Sequence, residues 1–185
     1  LSPTSAELGR TLNGEFLSDM DRYLFAQSTH FHLYDKLGAH LVNGGVQFVV
    51  WAPHASSVSV VGDFNHWNDS AHPMQRQPDS GLWSLFISHI GSNTVYKYAL
   101  TDSHGTRLPL KADPYGFFAE LRPNTASKVF DINQFVWTDA DYLVQKAQQN
   151  PYTAPISIYE VHLGSWQRAE DGSFLSYDEL AQRLI

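Results

Sequence analysis

The sequence predicts an antiparallel all-β sandwich over residues 38–135, preceded by a helical segment and followed by the opening of an α/β fold. Three observations carry this. Short apolar runs with a period of two recur between turn residues from Val46 to Leu100. Aromatic residues reach 14% while charged residues stay at 17%, the balance of a β-rich core or of a surface suited to neutral ligands. After Pro155 the pattern changes to strand, loop and helix, one unit of an α/β fold.

Residues 1–37 form the N-terminal segment. Leu8, Leu12, Phe16, Met20, Tyr23 and Leu24 recur at spacings of three and four, which predicts a helix over 1–28 capped by Thr4 or Ser5. Its apolar stripe is expected to dock on the domain that follows. The sandwich strands come next: Val46 to Trp51, ended by Pro53; Val58 to Val61; Gly81 to Ile87; and Val95 to Leu100. Gly62-Asp63-Phe64-Asn65 and Asp102-Ser103-His104-Gly105 supply turns. Over 136–155, Thr138 is expected to cap a short helix running to about Gln149, and prolines at 151 and 155 make a linker. Ile156 to His162 reads as a strand, and Ser176-Tyr177-Asp178-Glu179 as a capping box opening a helix through Leu180 and Leu184.

Composition excludes several function classes. The net charge of −7 argues against a nucleic-acid partner. No apolar run approaches the length of a membrane span, so no membrane partner is expected. Without cysteine there is no disulfide framework, no Cys-ligated zinc and no thiol nucleophile; this fits a cytoplasmic location. Phosphate-loop, nucleophile-elbow and zinc-helix motifs are missing, and His30-x-His32 lacks a third ligand, so neither metal nor cofactor is expected. The chain opens on Leu1 and stops at Ile185 within a periodic pattern, which suggests a piece of a longer protein.

The stretch Val60 to Trp67 is the most informative. A strand delivers a tight turn with an Asn and a Trp just beyond it. The Trp67 indole offers a face for a sugar ring and Asn65 can reach hydroxyls; the competing reading makes Trp67 a plug at the end of the core. Asp63, Asp113 and Glu160 are the carboxylates with the right chemistry for glycoside cleavage, yet Asp63 sits in a turn and Asp113 precedes proline, so no catalytic residue is assigned.

Phe48-Val49-Val50-Trp51-Ala52-Pro53, Val58 to Val61, Gly62-Asp63-Phe64-Asn65-x-Trp67, Gly81-Leu82-Trp83, Tyr96-Lys97-Tyr98 and Lys111-x-Asp113-Pro114-Tyr115 follow one another in this order. Together they resemble the immunoglobulin-like glucan-binding module that precedes α-amylase-family barrels. Leu37-Gly38-Ala39-His40 before it and Ala154 to Trp166 after it, with Tyr159-Glu160-Val161-His162-Leu163-Gly164-Ser165-Trp166, look like the bacterial 1,4-α-glucan branching enzymes. The resemblance covers about residues 28–185. It implies an accessory immunoglobulin-like sandwich, and a start of a (β/α)8 catalytic barrel at 156–185. The implied activity is transfer of an α-1,4-glucan chain to a 6-hydroxyl, with glycogen, amylose or maltooligosaccharides as substrates; a monomer is expected. It matches Trp67 and Lys97 to the module's sugar-binding Trp and Lys. The second Trp that strong binders carry is absent, since this chain has Ser103-His104-Gly105-Thr106. The module motif is shared with debranching enzymes, trehalohydrolases and stand-alone glucan sensors, which stay as alternatives.

Overall fold

The computed structural model describes residues 16–184. They divide into two compact units that meet in sequence at Val136 and Trp137.

The first unit is the sandwich. One sheet has the order β1-β2-β5-β4, from β1 (Gly38–Val42), β2 (Gly45–Trp51), β4 (Gln75–Arg76) and β5 (Leu82–Ser88). The other has the order β3-β6-β8-β7, from β3 (Ala55–Gly62), β6 (Val95–Asp102), β7 (Phe118–Ala119) and β8 (Ser127–Lys128). All these pairings are antiparallel. Val46, Phe48, Val50, Trp83 and Ile87 from the first sheet meet Val58, Val60, Tyr96 and Tyr98 from the second, with Val129 just after β8, in one core. That is the inner layer of two facing sheets, each giving alternate residues.

Strand β2 is apolar on both faces, and the second face has its own partner. Val49 and Leu82 lie in a separate cluster with Leu17 and Leu37, against which Phe16, Phe25 and Leu33 pack. The N-terminal segment therefore does dock on the sandwich, but not as one helix from residue 4. Residues 1–15 lie outside the described part. The described helix, α1 (Asp19–Ala26), starts at a cap on Ser18. Met20 and Tyr23, expected on the buried stripe, are exposed. Leu17, just before the cap, and Phe25, in the last turn, take the contacts.

That cap is a charged cluster. The Ser18 amide and hydroxyl donate to Asp21 Oδ2 at 2.9 and 2.7 Å, and the Asp21 amide donates to Ser18 Oγ at 3.1 Å. His30 Nε2 lies 3.0 Å from Asp21 Oδ1 and Lys36 Nζ 3.2 Å from Oδ2. Burial pushes the Asp21 carboxyl up, but the Ser18 bonds, His30 and Lys36 overcome it and hold the group at about 2, below its ordinary 3.8. A depressed folded value gives stability that is present above the unfolded pKa and lost as pH falls through the folded one. Asp21→Asn should therefore cost about 1 kcal/mol at pH 7, after allowance for solvent screening, and nearly nothing at pH 2. Thermal melts of both proteins from pH 7 to pH 2 check this; a pH-independent difference would contradict it.

The second unit holds α2 (Ala140–Gln148), α3 (Leu163–Trp166) and α4 (Tyr177–Leu184). Thr138 does not cap α2; Asp139 occupies the cap and makes no side-chain bond there. The capping box of α4 is formed, with the Ser176 amide and hydroxyl each donating to Glu179 Oε2 at 2.8 Å. The strand expected at 156–162 is not formed. A strand exists through its neighbours' hydrogen bonds, and no described segment pairs with this one. Ile156, Ile158 and Tyr159 are exposed.

A candidate carbohydrate-binding face

The sheet β3-β6-β8-β7 has an outer face that its register defines. Val61 pairs with Lys97, Val95 with Lys128, and Lys128 with Phe118. Directly paired residues share a face, as do residues two apart on a strand, so Lys97, Lys128 and Phe118 lie on one side. Tyr96 and Tyr98, with the opposite parity, fill the core.

Trp67 stands at the end of β3. A 3-10 turn over Asp63–Asn65 follows the strand, and His66 and Trp67 then take φ of 55° and 58°. Two successive left-handed residues that are not glycine cost on the order of 1 kcal/mol each, so the surroundings must hold them. They do. The Trp67 amide donates to the Gly62 carbonyl at 2.9 Å, and the indole Nε1–H donates to Asp63 Oδ1 at 2.8 Å. Trp67 is 38% exposed and belongs to neither core cluster, so it is not a core plug. Phe64 is the turn's aromatic residue that packs against the core.

Asn65 is withdrawn from the sugar-contacting set. It is 8% exposed, and its amide is spent inside the turn. Its Oδ1 accepts from the Gly62 amide at 3.0 Å, and its Nδ2 donates to the Val60 carbonyl at 2.9 Å and lies 3.0 Å from His72 Nδ1. Asn65 braces the loop that presents Trp67. Lys97 is half-buried, and its Nζ donates to Thr125 Oγ1 at 2.7 Å. An ammonium has three donors, so two stay open. The backbone joins the two residues: Lys97 pairs with Val61, next to the Gly62 whose carbonyl holds the Trp67 amide.

Reading the sequence placed Asp63 in the turn without its bond to the indole, and missed Thr125, which anchors Lys97, and Phe118 and Lys128, which share the face. A two-residue strand has no period to detect. The turn after β6 carries no aromatic; Asp102 Oδ1 accepts from the His104 and Thr106 amides at 2.9 and 2.8 Å. Among the carboxylates with glycosidic chemistry, Asp63 is held by the indole, and Asp113 is buried with Oδ2 accepting from Tyr96 and Tyr98 hydroxyls at 2.7 and 3.0 Å. Burial pushes the Asp113 carboxyl up against these bonds. His30 and His32 go to different partners, Asp21 and Tyr34. No group of three metal-ligating side chains occurs among the described residues.

Residues 36–116 match the carbohydrate-binding module 48 family, described also as the isoamylase N-terminal domain. The match lies within the sandwich, from just before β1 to the loop after β6. Curated relatives extend the likeness to the second unit. The chain is 49% identical over 173 residues to the 1,4-alpha-glucan branching enzyme GlgB of Rubrobacter xylanophilus, covering 91% of this chain and 24% of that one. It is 49% identical over 174 residues to the enzyme of the same name from Paramagnetospirillum magneticum, again with 91% and 24% covered. The chain thus spans about a quarter of the length of the curated relatives it matches. Among solved structures, the maltotriose complex of PulA from Klebsiella pneumoniae aligns over 52% of this chain and 11% of that one, at 33% identity and a TM-score of 0.45.

Proposed function

We propose that this family 48 module belongs to a 1,4-α-glucan branching enzyme and holds α-glucan through Trp67 and Lys97. The observation that carries the proposal is the 49% identity to enzymes of that name over 91% of the chain, which continues past the module into 137–185. A stand-alone sensor has no use for that continuation. On this reading the exposed Ile156, Ile158 and Tyr159 form the first barrel strand once neighbouring strands cover them.

The chemistry of the reading is simple in outline. An α-1,4 bond is cleaved and the chain end passes to a 6-hydroxyl, so one glycosidic bond replaces another and no cofactor is consumed. Carboxylates on both sides of the scissile bond do this work, and on this reading they belong to the remaining three-quarters of the enzyme. This chain's residues bind and hold. Trp67 offers an apolar face to a glucose ring while Asp63 occupies its N–H, and Lys97 supplies the donors that Thr125 leaves open. Tethering a long glucan here raises its local concentration at a linked active site. The enzyme works as a cytoplasmic monomer on this account.

Amylose incubated with the longer protein should acquire α-1,6 linkages, read as new short chains after enzymatic debranching. The 185-residue chain alone should form none. Release of chains from branched glucan by the longer protein, without new linkages, would replace this reading with a debranching enzyme.

A further inference from the structure

We infer that the sandwich has a second α-glucan site, in a cleft on the opposite sheet from Trp67. The inference rests on the reading of the module as a glucan binder. The cleft measures about 1180 Å³ and opens where the end of α1, the end of β2 and the turn between β4 and β5 come together. That volume is somewhat above the range of small-molecule sites, about 300 to 1,000 Å³, and leaves room for an extended ligand. Its walls include Phe25, Trp51, Arg76, Asp79, Gly81 and Tyr115.

Trp51 is the feature that points to a ligand. It is 55% exposed, and Phe25 fixes its ring by an edge-to-face contact with centroids 6.0 Å apart. Trp67, Trp83 and Trp166 each donate their indole N–H, to Asp63, the Ala52 carbonyl and the Tyr159 hydroxyl. The Trp51 N–H has no acceptor among the described residues, and it faces Gly81. A Cβ built on Gly81 would lie 3.2 Å from Trp51 Nε1 and 2.8 Å from Pro53, and the φ of +68° also selects glycine there. Glycine keeps this end of the indole clear.

The other polar groups of the cleft are also unspent. The Tyr115 hydroxyl and the Asp79 carboxylate have no hydrogen-bond partner among the described residues. Arg76 reaches the Pro53 carbonyl at 3.4 Å and lies over the Trp83 ring at 5.9 Å, leaving guanidinium donors at the rim. A donor N–H, a hydroxyl, a carboxylate and a guanidinium around aromatic faces suit a ligand with an apolar C–H face and hydroxyls that donate and accept. That is a run of neutral hexoses. A hydrocarbon would bury Asp79 and Arg76 without compensation. An anion would meet the Asp79 charge.

The experiment titrates maltoheptaose into the 185-residue chain labelled with ¹⁵N, following the five indole N–H resonances. Trp51→Phe assigns the relevant peak. The Trp51 resonance should shift saturably, in the parent and in Trp67→Ala alike. Tyr115→Phe and Asp79→Asn, with unchanged melting, should weaken that titration by about three- to tenfold each. A Trp51 peak that stays still while the Trp67 peak moves overturns the cleft and leaves the module's own site standing. If both peaks stay still, the cleft and the glucan-binding reading fail together. A Trp51 shift that vanishes in Trp67→Ala would mean one site, not two.

Discussion

Replacing Trp67 by alanine is expected to remove most of the affinity for α-1,4-glucan while leaving thermal unfolding nearly unchanged. The indole lies outside both core clusters and is 38% exposed, so its loss opens no internal cavity. What disappears is an aromatic face, and with it affinity by about tenfold. Alanine also gives up the bond to Asp63, which links two surface groups and costs little stability. Lys97→Ala should weaken binding by only about three- to fivefold, because a hydrated ammonium regains in water much of what it gives the sugar. Isothermal titration with maltoheptaose and a melting curve on the same samples decide the matter. Lost affinity with lost stability would return Trp67 to the role of structural plug.

Asp113→Ala should have the largest effect on stability. Tyr96 and Tyr98 are 0% and 1% exposed, and both hydroxyls end on Asp113 Oδ2. The carboxylate also accepts from the Tyr115 amide through Oδ1 at 2.8 Å. Removing it strands two buried donors, each at about 1–3 kcal/mol, for an expected loss of about 3–5 kcal/mol. Asp113→Asn keeps one acceptor oxygen and should lose less. Adding Tyr98→Phe to Asp113→Ala should recover part of the loss, because a missing donor no longer needs an acceptor. Urea unfolding of the four proteins tests this; equal midpoints for parent and Asp113→Ala would contradict it.

These residues also show what the sequence could and could not convey. The strands β2, β3, β5 and β6 were legible because each has seven or eight residues and carries an apolar run bounded by turn residues. The strands β4, β7 and β8, with two residues each, were not, since pairing defines them and pattern does not. The turn after β3 was legible as a turn, but not which of its polar side chains faces inward. Asn65 does so because the turn interior holds both a carbonyl and an N–H, and its amide side chain answers both. Asp63, an acceptor only, is left for the indole. The capping box at Ser176 is local and appeared as read. The strand at 156–162 depends on neighbours that the described residues do not supply.

The most direct test of the central claim is electrophoresis of the 185-residue chain in native gels with and without glycogen. The account predicts retardation by glycogen, reduced in Trp67→Ala and absent when the gel contains a β-linked glucan instead. Equal mobility of the parent chain with and without glycogen, over the full range of glycogen concentrations, would contradict it.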